Sequence, residues 1–301
     1  MLIERAPKRE GEVKLSSKIF LSFFRHSPRE KGKGSAPLTP EGRQMSINKA
    51  SDLHPDGSDI KDIKQAVAFG SSHRRGHETA GFVMGGGLEE ITGEEDTIEE
   101  LKEKLNEGIN IGSKLVIDKR LNFGFNFESK LGKAVFDNLR NENFLKFIIE
   151  QSDELAKESP KDKESACYSR LAANIAEIIM KYVNVEKKWD KLANDKDKDY
   201  SKTLERYFGS HAGVLESFLS KIITKTKGMD VLEKFLQIHP VGFDYTSGFN
   251  VEIISDENHD PNNPKIHIKY EKIDENSDEI IFLFEENIDK KLLEEIISEK
   301  I

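Results

Sequence analysis

The chain has 301 residues and a single cysteine, so it is long enough to bury a large core and cannot form an internal disulfide. Its formal net charge of −9, with 34% charged residues, disfavours nucleic acid as a general partner and requires a local basic site for any anionic ligand. No apolar stretch approaches the ~20 residues of a membrane span, and residues 1–14 lack a signal-peptide core, so we expect a cytoplasmic protein with no membrane partner.

The first predicted strand, Ile19–Phe24, runs directly into the pair Arg25 and His26. A short apolar run of this kind is typical of a buried strand in an α/β sheet. Such sheets bind their ligands at the carboxyl ends of the strands. The sequence therefore predicts that a cation and a nucleophile lie at the edge of a crevice.

The segment 38–43 is predicted to begin a helix, because Thr39 is suited to the N-cap and Pro40 to the first helical position. A second predicted strand, 66–70, leads into a segment that contains Arg75 and turns into a helix. A third strand ends before His211, so three strand ends offer arginine and histidine to one edge.

These residue types suit the chemistry of a phosphate monoester. Arg25 and Arg75 each offer a planar fork of donors that fits phosphate oxygens. Flanking arginines and burial both disfavour protonation of an imidazole, so His26 is expected to be a neutral nucleophile near pH 7.

The order and local spelling of four segments resemble the histidine phosphatase superfamily, in particular its phosphoglycerate mutase-like members. The segments are Arg25-His26, Leu38-Thr39-Pro40-Glu41-Gly42-Arg43, Ser71-x-x-x-Arg75-x-x-x-Thr79-Ala80 and His211-Ala212-Gly213. The similarity runs from about Lys18 to Ser255, with an unaligned gap between about Gly86 and Ser165.

The resemblance implies that His26 becomes a transient phosphohistidine, that His211 contacts the phosphoryl group and that no metal or cofactor takes part. The chain departs from the family at 27–29, where Ser-Pro-Arg stands in place of the usual glycine, and Arg29 is a candidate extra clamp on the phosphate. Arg74 is an alternative to Arg75, but the four-residue spacing on either side favours Arg75.

The family's general acid has no clear counterpart. An alignment on Arg-Leu-Asn places the acid's position at Phe123, and an alignment on Phe-Gly places it at Arg120. Another branch of the family has an aspartate directly after its second histidine, and this chain has Ala212 at that position. The nearest carboxylates are Glu128 and Asp118, and Glu128 is preferred because aromatic neighbours would raise its pKa.

We predict one α/β domain over residues 1–301, a three-layer sandwich with a mostly parallel central sheet and helices on both faces. A lid insertion is expected at about 88–163, with helices near 97–105 and 131–150, although an acidic solvated insertion of no catalytic consequence fits equally well. A helix is predicted at 164–183, followed by a mobile connection at 187–202. A C-terminal extension at about 263–301 ends in strands and a helix.

The predicted function is a phosphatase that acts on a phosphomonoester, either a small phosphorylated compound or a phosphoprotein, through phospho-His26. The missing acid favours an alternative, a phosphate-binding or phosphohistidine-binding regulatory module without turnover. The sequence does not decide the substrate, the oligomeric state or the distinction from a mutase.

Overall fold

The structure is a computed structural model. The residues that it describes are 15–32, 35–53, 65–86, 88–95, 97–107, 114–195, 197, 200–256, 264–274 and 276–301. Residues 1–14, on which the expectation about a signal peptide rests, lie outside these ranges. None of the helices in the described ranges is both long enough and apolar enough to cross a bilayer.

Within the described ranges, seven strands form one mixed sheet at the centre of the molecule. They are β1 (Leu15–Arg25), β2 (Val67–Gly70), β3 (Leu115–Ile117), β4 (Thr203–Ser210), β5 (Gly248–Asp256), β6 (Lys265–Ile273) and β7 (Ile280–Ile288). Their order across the sheet is β3-β2-β4-β1-β5-β6-β7. The first four are mutually parallel, and β5, β6 and β7 continue the sheet in antiparallel pairing. The predicted α/β fold is confirmed, with its parallel strands in one half of the sheet.

Helices pack on both faces of this sheet. Over the described residues they are α1 (Pro40–Leu53), α2 (Arg74–Gly85), α3 (Ile98–Leu105), α4 (Lys130–Asn138), α5 (Phe144–Glu158), α6 (Tyr168–Ala193), α7 (Val214–Lys227), α8 (Met229–Ile238) and α9 (Lys290–Ser298). Phe23 and Phe24, neighbours on β1, point to opposite faces, as the two-residue period of a strand requires. Phe23 joins the large core with α6 and α7, and Phe24 joins the smaller core with α2 and α3.

The antiparallel half has one apolar and one polar face. Phe249, Val251 and Ile253 of β5 are buried in the large core, while the intervening Asn250 and Glu252 are only partly buried. The same alternation continues along β6, where His267 and Lys269 lie between buried neighbours. Such alternation is expected where an antiparallel sheet packs on a core with one face only.

Two glycines allow α2 to start directly against the strand ends. A Cβ on Gly70, the last residue of β2, would lie 2.3 Å from the Cα of His77. A Cβ on Gly209 of β4 would lie 2.1 Å from the carbonyl oxygen of Gly76. Because only glycine fits at these close approaches, the sequence fixes the first turn of α2, and with it Arg75, beside β2 and β4.

Several predicted elements differ in extent from those observed. The helix predicted over 164–183 is α6, which begins at Tyr168 and continues to Ala193. It extends into the connection predicted at 187–202, as far as Ala193, because Trp189 and Ala193 continue its apolar stripe and are buried in the large core. The predicted helix at 131–150 is instead two helices, α4 and α5, and the strands and helix predicted in the extension at about 263–301 are β6, β7 and α9.

The described residues of the segment 88–163, whose role as a lid stays a prediction, form strands and helices of the fold. They supply β3 at the sheet edge, a short 3-10 helix at Lys119–Leu121, and helices α3, α4 and α5. Phe144, Leu145 and Ile148 of α5 are buried in the large core. The predicted helix at 97–105 is α3, whose N-cap Thr97 accepts a hydrogen bond from the Glu100 amide.

Candidate active site

Three neighbouring strand ends build the site. Arg25 ends β1 and pairs with Ser210 at the end of the parallel strand β4, and the amide of His26 donates to the carbonyl oxygen of Ser210 over 2.9 Å. The amide of Ser71, just after β2, donates to the carbonyl oxygen of Gly209 over 3.1 Å. His26, Ser71 and His211 therefore leave the sheet side by side at one edge, as the sequence predicted.

His26 is a buried imidazole with both ring nitrogens engaged. Its Nδ1 lies 2.8 Å from the carbonyl oxygen of Ser27, and its Nε2 accepts a hydrogen bond of 3.1 Å from Nε of Arg75. A carbonyl oxygen only accepts, so Nδ1 carries the proton and Nε2 carries the lone pair. The Ser27 amide in turn donates to Oγ1 of Thr79, one turn along α2 from Arg75, over 3.0 Å.

Arg25 lies against the opposite wall of the site. Its Nη1 donates to the carbonyl oxygen of Phe243, and its guanidinium carbon lies 4.7 Å from the ring centre of Tyr245. Its Nε is buried and has no hydrogen-bond partner. Arg25 is thus held by a backbone carbonyl and an aromatic face, with a donor left for a ligand.

Arg29 and Arg74 have different surroundings. Arg29 is exposed and bonds the backbone carbonyl of Glu30, yet its charge is among those that lower the pKa of His26 and of Arg75. Arg74 points away from His26 and pairs with the buried carboxylate of Glu78 at 2.5 Å. Of the two neighbouring arginines on α2, the structure therefore brings Arg75 to His26, as the spacing favoured.

His211 lies edge-on to His26, with their ring centres 5.3 Å apart. Its Nε2 lies 2.8 Å from Oγ of Ser71, while its Nδ1 is buried without a partner. His73 adds a third imidazole, 5.2 Å from the ring of His211. We name the group Arg25, His26, Arg75 and His211 the Arg/His cluster.

Burial and positive charge set the protonation of the cluster. Burial, followed by the charges of Arg75, Arg25 and Arg29, lowers the pKa of His26 to about 3, against a raising contribution from the Ser27 carbonyl. The pKa of His211 lies well below its usual value, chiefly because the ring is fully buried. Burial and the charges of Arg29 and Arg25 lower the pKa of Arg75 to about 10. Two neutral imidazoles therefore lie among charged guanidinium groups at pH 7.

No guanidinium group of Arg25, Arg29 or Arg75 forms an ion pair within the described ranges. Each bonds a backbone carbonyl or a histidine instead. Uncompensated charges of like sign in a partly buried site repel one another, and an anion between them relieves that repulsion. The geometry is that of a site for a compact anion.

Neither predicted acid is brought to the cluster. Asp118 lies at the same sheet edge, but its carboxylate bonds Arg120 through both oxygens, at 3.0 and 2.6 Å. Burial raises the pKa of Asp118, and the hydrogen bonds and charge of Arg120 outweigh it and lower the pKa below the usual value. The side chain of Glu128 is exposed and lines a groove with Ser129 and residues 158–162. The structure gives Glu128 no contact with His26, so its role as the acid stays a prediction without structural support.

Two neighbours of the Arg/His cluster are absent from the predicted site residues. One is His73, whose ring centre lies 5.2 Å from that of His211. Tyr245, whose ring centre lies 5.8 Å from that of His26, belongs to the loop before β5. The available signal was topological, because a strand that runs antiparallel to β1 begins at the edge where β1 ends, and its preceding loop must lie there.

In the described part of the chain, no three His, Cys, Asp or Glu side chains are arranged to hold a metal ion. The fold and the cluster together define an α/β protein with a positively charged crevice at the carboxyl ends of its parallel strands.

Comparison with known proteins finds similar solved structures, whereas no family model and no curated protein matches the chain. A mycobacterial glucosyl-3-phosphoglycerate phosphatase is 14% identical, covers 79% of this chain and 90% of its own, and has a TM-score of 0.40. A phosphoglycerate mutase from Bacillus anthracis is 16% identical over 93% of this chain and 97% of its own, with a TM-score of 0.37. A phytase from Hafnia alvei is 10% identical over 98% of both chains, with a TM-score of 0.39.

Proposed function

We propose that this protein is a phosphatase that hydrolyses a phosphomonoester through a phosphohistidine on His26. The observation that carries the proposal is the neutral His26 imidazole, with its Nε2 lone pair directed at Arg75 among guanidinium groups that have no carboxylate partner. A nucleophile of this kind, beside donors that fit phosphate oxygens, is what phosphoryl transfer requires.

In the first step, the Nε2 lone pair of His26 forms a bond to phosphorus as the bond from phosphorus to the ester oxygen breaks. The Nε–H group of Arg75 exchanges its hydrogen bond to His26 for one to a phosphoryl oxygen. The Nε–H group of Arg25 donates a further hydrogen bond. The ring becomes positively charged, and the Ser27 carbonyl that accepts its Nδ1–H stabilises that charge. The departing alkoxide takes up a proton from water.

In the second step, water attacks phosphorus and the bond between nitrogen and phosphorus breaks, which releases inorganic phosphate and restores His26. His211 lies beside the transferring group and, when Ser71 donates to its Nε2, offers an Nδ1–H to a phosphoryl oxygen. Preorganised donors of this type need no rearrangement as charge develops in the transition state.

The experiment is to trap the intermediate. The wild-type protein is incubated with a phosphomonoester labelled at phosphorus and quenched, and we expect protein-bound label that is stable to base and labile to acid. His26→Ala should abolish this label, while His267→Ala, on the far strand β6, should retain it. Equal labelling or equal turnover by the wild type and His26→Ala would refute the proposal.

A second candidate is a binding module without turnover. One observation favours it: within the described ranges no carboxylate bonds a member of the Arg/His cluster, so no protein acid is in place for a poor leaving group. Tight binding of inorganic phosphate, together with no hydrolysis of p-nitrophenyl phosphate, would identify this function.

A further inference from the structure

A polar cleft adjoins the Arg/His cluster on the antiparallel half of the sheet. Its volume is about 560 Å³, and it lies between the last turns of α1, the loop 244–247 and the polar face of β5 and β6. Its polar lining includes Lys49, Asp244, Tyr245, Asn250, Lys269 and Lys272. The cleft is open at the same edge as the strand ends, because β5 begins at Gly248 opposite Phe24.

Tyr245 is the wall that the cleft and the cluster share. Its ring packs against the Arg25 guanidinium on one side, lies 5.8 Å from the ring centre of His26, and also lines the cleft. The side chain is 42% exposed, so its remaining surface is accessible to a ligand. A group attached to a phosphate at His26 and extending towards the cleft would meet Tyr245.

The backbone beside Tyr245 is held in a strained conformation. Thr246 has a φ of +57°, which is unfavourable for a β-branched residue. Its amide donates to the carbonyl oxygen of Arg25 over 3.0 Å, and the Arg25 amide donates to that of Ser247 over 2.9 Å. Residues held in sparsely populated conformations persist only where the surroundings enforce them, and they concentrate at ligand sites.

The charges in the cleft are balanced in pairs. Lys272 bonds Asp244 at 2.6 Å, Lys269 bonds Glu271 at 2.9 Å, and Lys49 lies 3.9 Å from Asp52. A polyanionic group would meet no excess of positive charge, and an apolar group would displace water from charged side chains without compensation. Hydroxyl groups, in contrast, accept from ammonium groups and donate to carboxylates at once.

We propose that this cleft binds the organic part of the phosphomonoester, and that this part is an uncharged, hydroxyl-rich group such as a sugar or polyol. The Asn250 amide and the three ion pairs bind the hydroxyls, and the Tyr245 ring packs against the C–H face of the group. The inference rests on the proposed function, since it takes the phosphate to lie at His26.

The test is calorimetric titration of the full chain carrying His26→Ala, which removes turnover. Three probes are compared: glucose 6-phosphate, hexyl phosphate and inorganic phosphate. We expect glucose 6-phosphate to bind about tenfold more tightly than hexyl phosphate, the effect of one or two well-formed hydrogen bonds. Adding Asn250→Leu should abolish that preference, whereas Asn287→Leu, an exposed residue of β7 outside the cleft, should preserve it.

The outcomes distinguish failure of the cleft proposal from failure of the proposed phosphatase function. Equal or tighter binding of hexyl phosphate, or a uniform loss of all three affinities in Asn250→Leu with an unchanged melting temperature, overturns the inference and leaves the phosphate site standing. Binding of glucose 6-phosphate without binding of inorganic phosphate overturns the phosphate site and supports the cleft. No binding of any probe overturns both.

Discussion

Nε of Arg75 donates a 3.1 Å hydrogen bond to Nε2 of His26, so a guanidinium group is hydrogen-bonded to the lone pair of the proposed nucleophile. A cation in this position does three things at once: it selects the tautomer, disfavours protonation of the ring, and supplies a donor where a phosphoryl oxygen would lie. The first prediction concerns this pair.

Arg75→Met should lower kcat/KM for p-nitrophenyl phosphate by about 10²–10³-fold, the cost of losing a preorganised donor to the transition state. Arg75→Lys should recover only part of the loss, because an ammonium group lacks the planar fork. Arg140→Met, at an exposed position after α4, is the matched control and should keep wild-type rates. An Arg75→Met enzyme within twofold of wild type would remove Arg75 from the mechanism.

The second prediction concerns the protonation of His26. Because burial and nearby arginines lower its pKa to about 3, the ring should stay neutral throughout the range from pH 5 to pH 8. Imidazole NMR signals of His26 should therefore show no titration in that range. In Arg75→Met one positive charge is gone, the imidazolium is less disfavoured, and the pKa should rise. A wild-type midpoint near pH 6.5 would contradict this reading of the site.

The third prediction links pH to stability through two buried histidines. Burial is the first cause that lowers the pKa of His77 and of His239, each to about 4. Between that value and the unfolded value of about 6.5, the unfolded chain binds more protons, so the free energy of unfolding falls as pH falls. Each group contributes up to about 3 kcal/mol that is present above pH 6.5 and lost towards pH 4.

His239→Gln should flatten this dependence, since Gln does not titrate and can still bond the Tyr270 hydroxyl, which lies 2.6 Å from the His239 ring. His267→Gln, on the polar face of β6, serves as control. Urea unfolding at pH 7.0, 5.5 and 4.5 measures the slopes. Identical slopes for His239→Gln and the wild type would show that His239 does not carry this dependence.

The fourth prediction concerns the general acid. Asp118 is held by Arg120 and Glu128 is exposed, so neither Asp118→Asn nor Glu128→Gln should change the ratio of rates for p-nitrophenyl phosphate and propyl phosphate. Only the alkyl ester needs a proton on its leaving oxygen, and general-acid assistance is worth about 10²–10⁴-fold there. A selective loss of propyl phosphate hydrolysis in Glu128→Gln would restore the assignment made from the sequence.

The fifth prediction concerns Glu216, a fully buried carboxylate that ties two site loops together. Its Oε2 accepts from the amide of Gly213, beside His211, at 2.8 Å, and its Oε1 accepts from the amide of Phe243, beside Arg25. Glu216→Ala leaves both amides without partners and should cost about 2–4 kcal/mol of unfolding free energy. Glu216→Gln should recover part of the loss, and Glu233→Ala, exposed on α8, should cost little. Equal stability of Glu216→Ala and wild type would show that these two hydrogen bonds do not stabilise the fold.

The sequence predicted the parts of the site that follow directly from a buried strand. The apolar run before Arg25 and the strand before His211 are local signals, and parallel pairing then places their ends side by side. Thr39 as the N-cap of α1 is equally local, and its Oγ1 accepts from the Gly42 amide over 3.0 Å.

Tyr245 and His73 were not predicted because their roles depend on packing between distant segments. Tyr245 comes before a strand that begins 223 residues after Arg25 and reaches it only through the pairing of β5 with β1. The extent of α6 was missed for a related reason: its charged second half reads as a solvated connection until Trp189 is seen to face the core. Periodicity identifies the face of a helix more readily than it identifies the neighbour that covers that face.

The division of the sheet into a parallel and an antiparallel half has a consequence for how such a protein diversifies. The four members of the Arg/His cluster follow or flank parallel strands, whereas most of the cleft lining lies between 244 and 273, in the antiparallel half. Under the proposed assignments, a block of about thirty residues can be exchanged or drift in sequence to suit a new compound while the reacting residues stay unaltered. Grafting that block between related chains is therefore a direct route to altered selectivity with conserved chemistry.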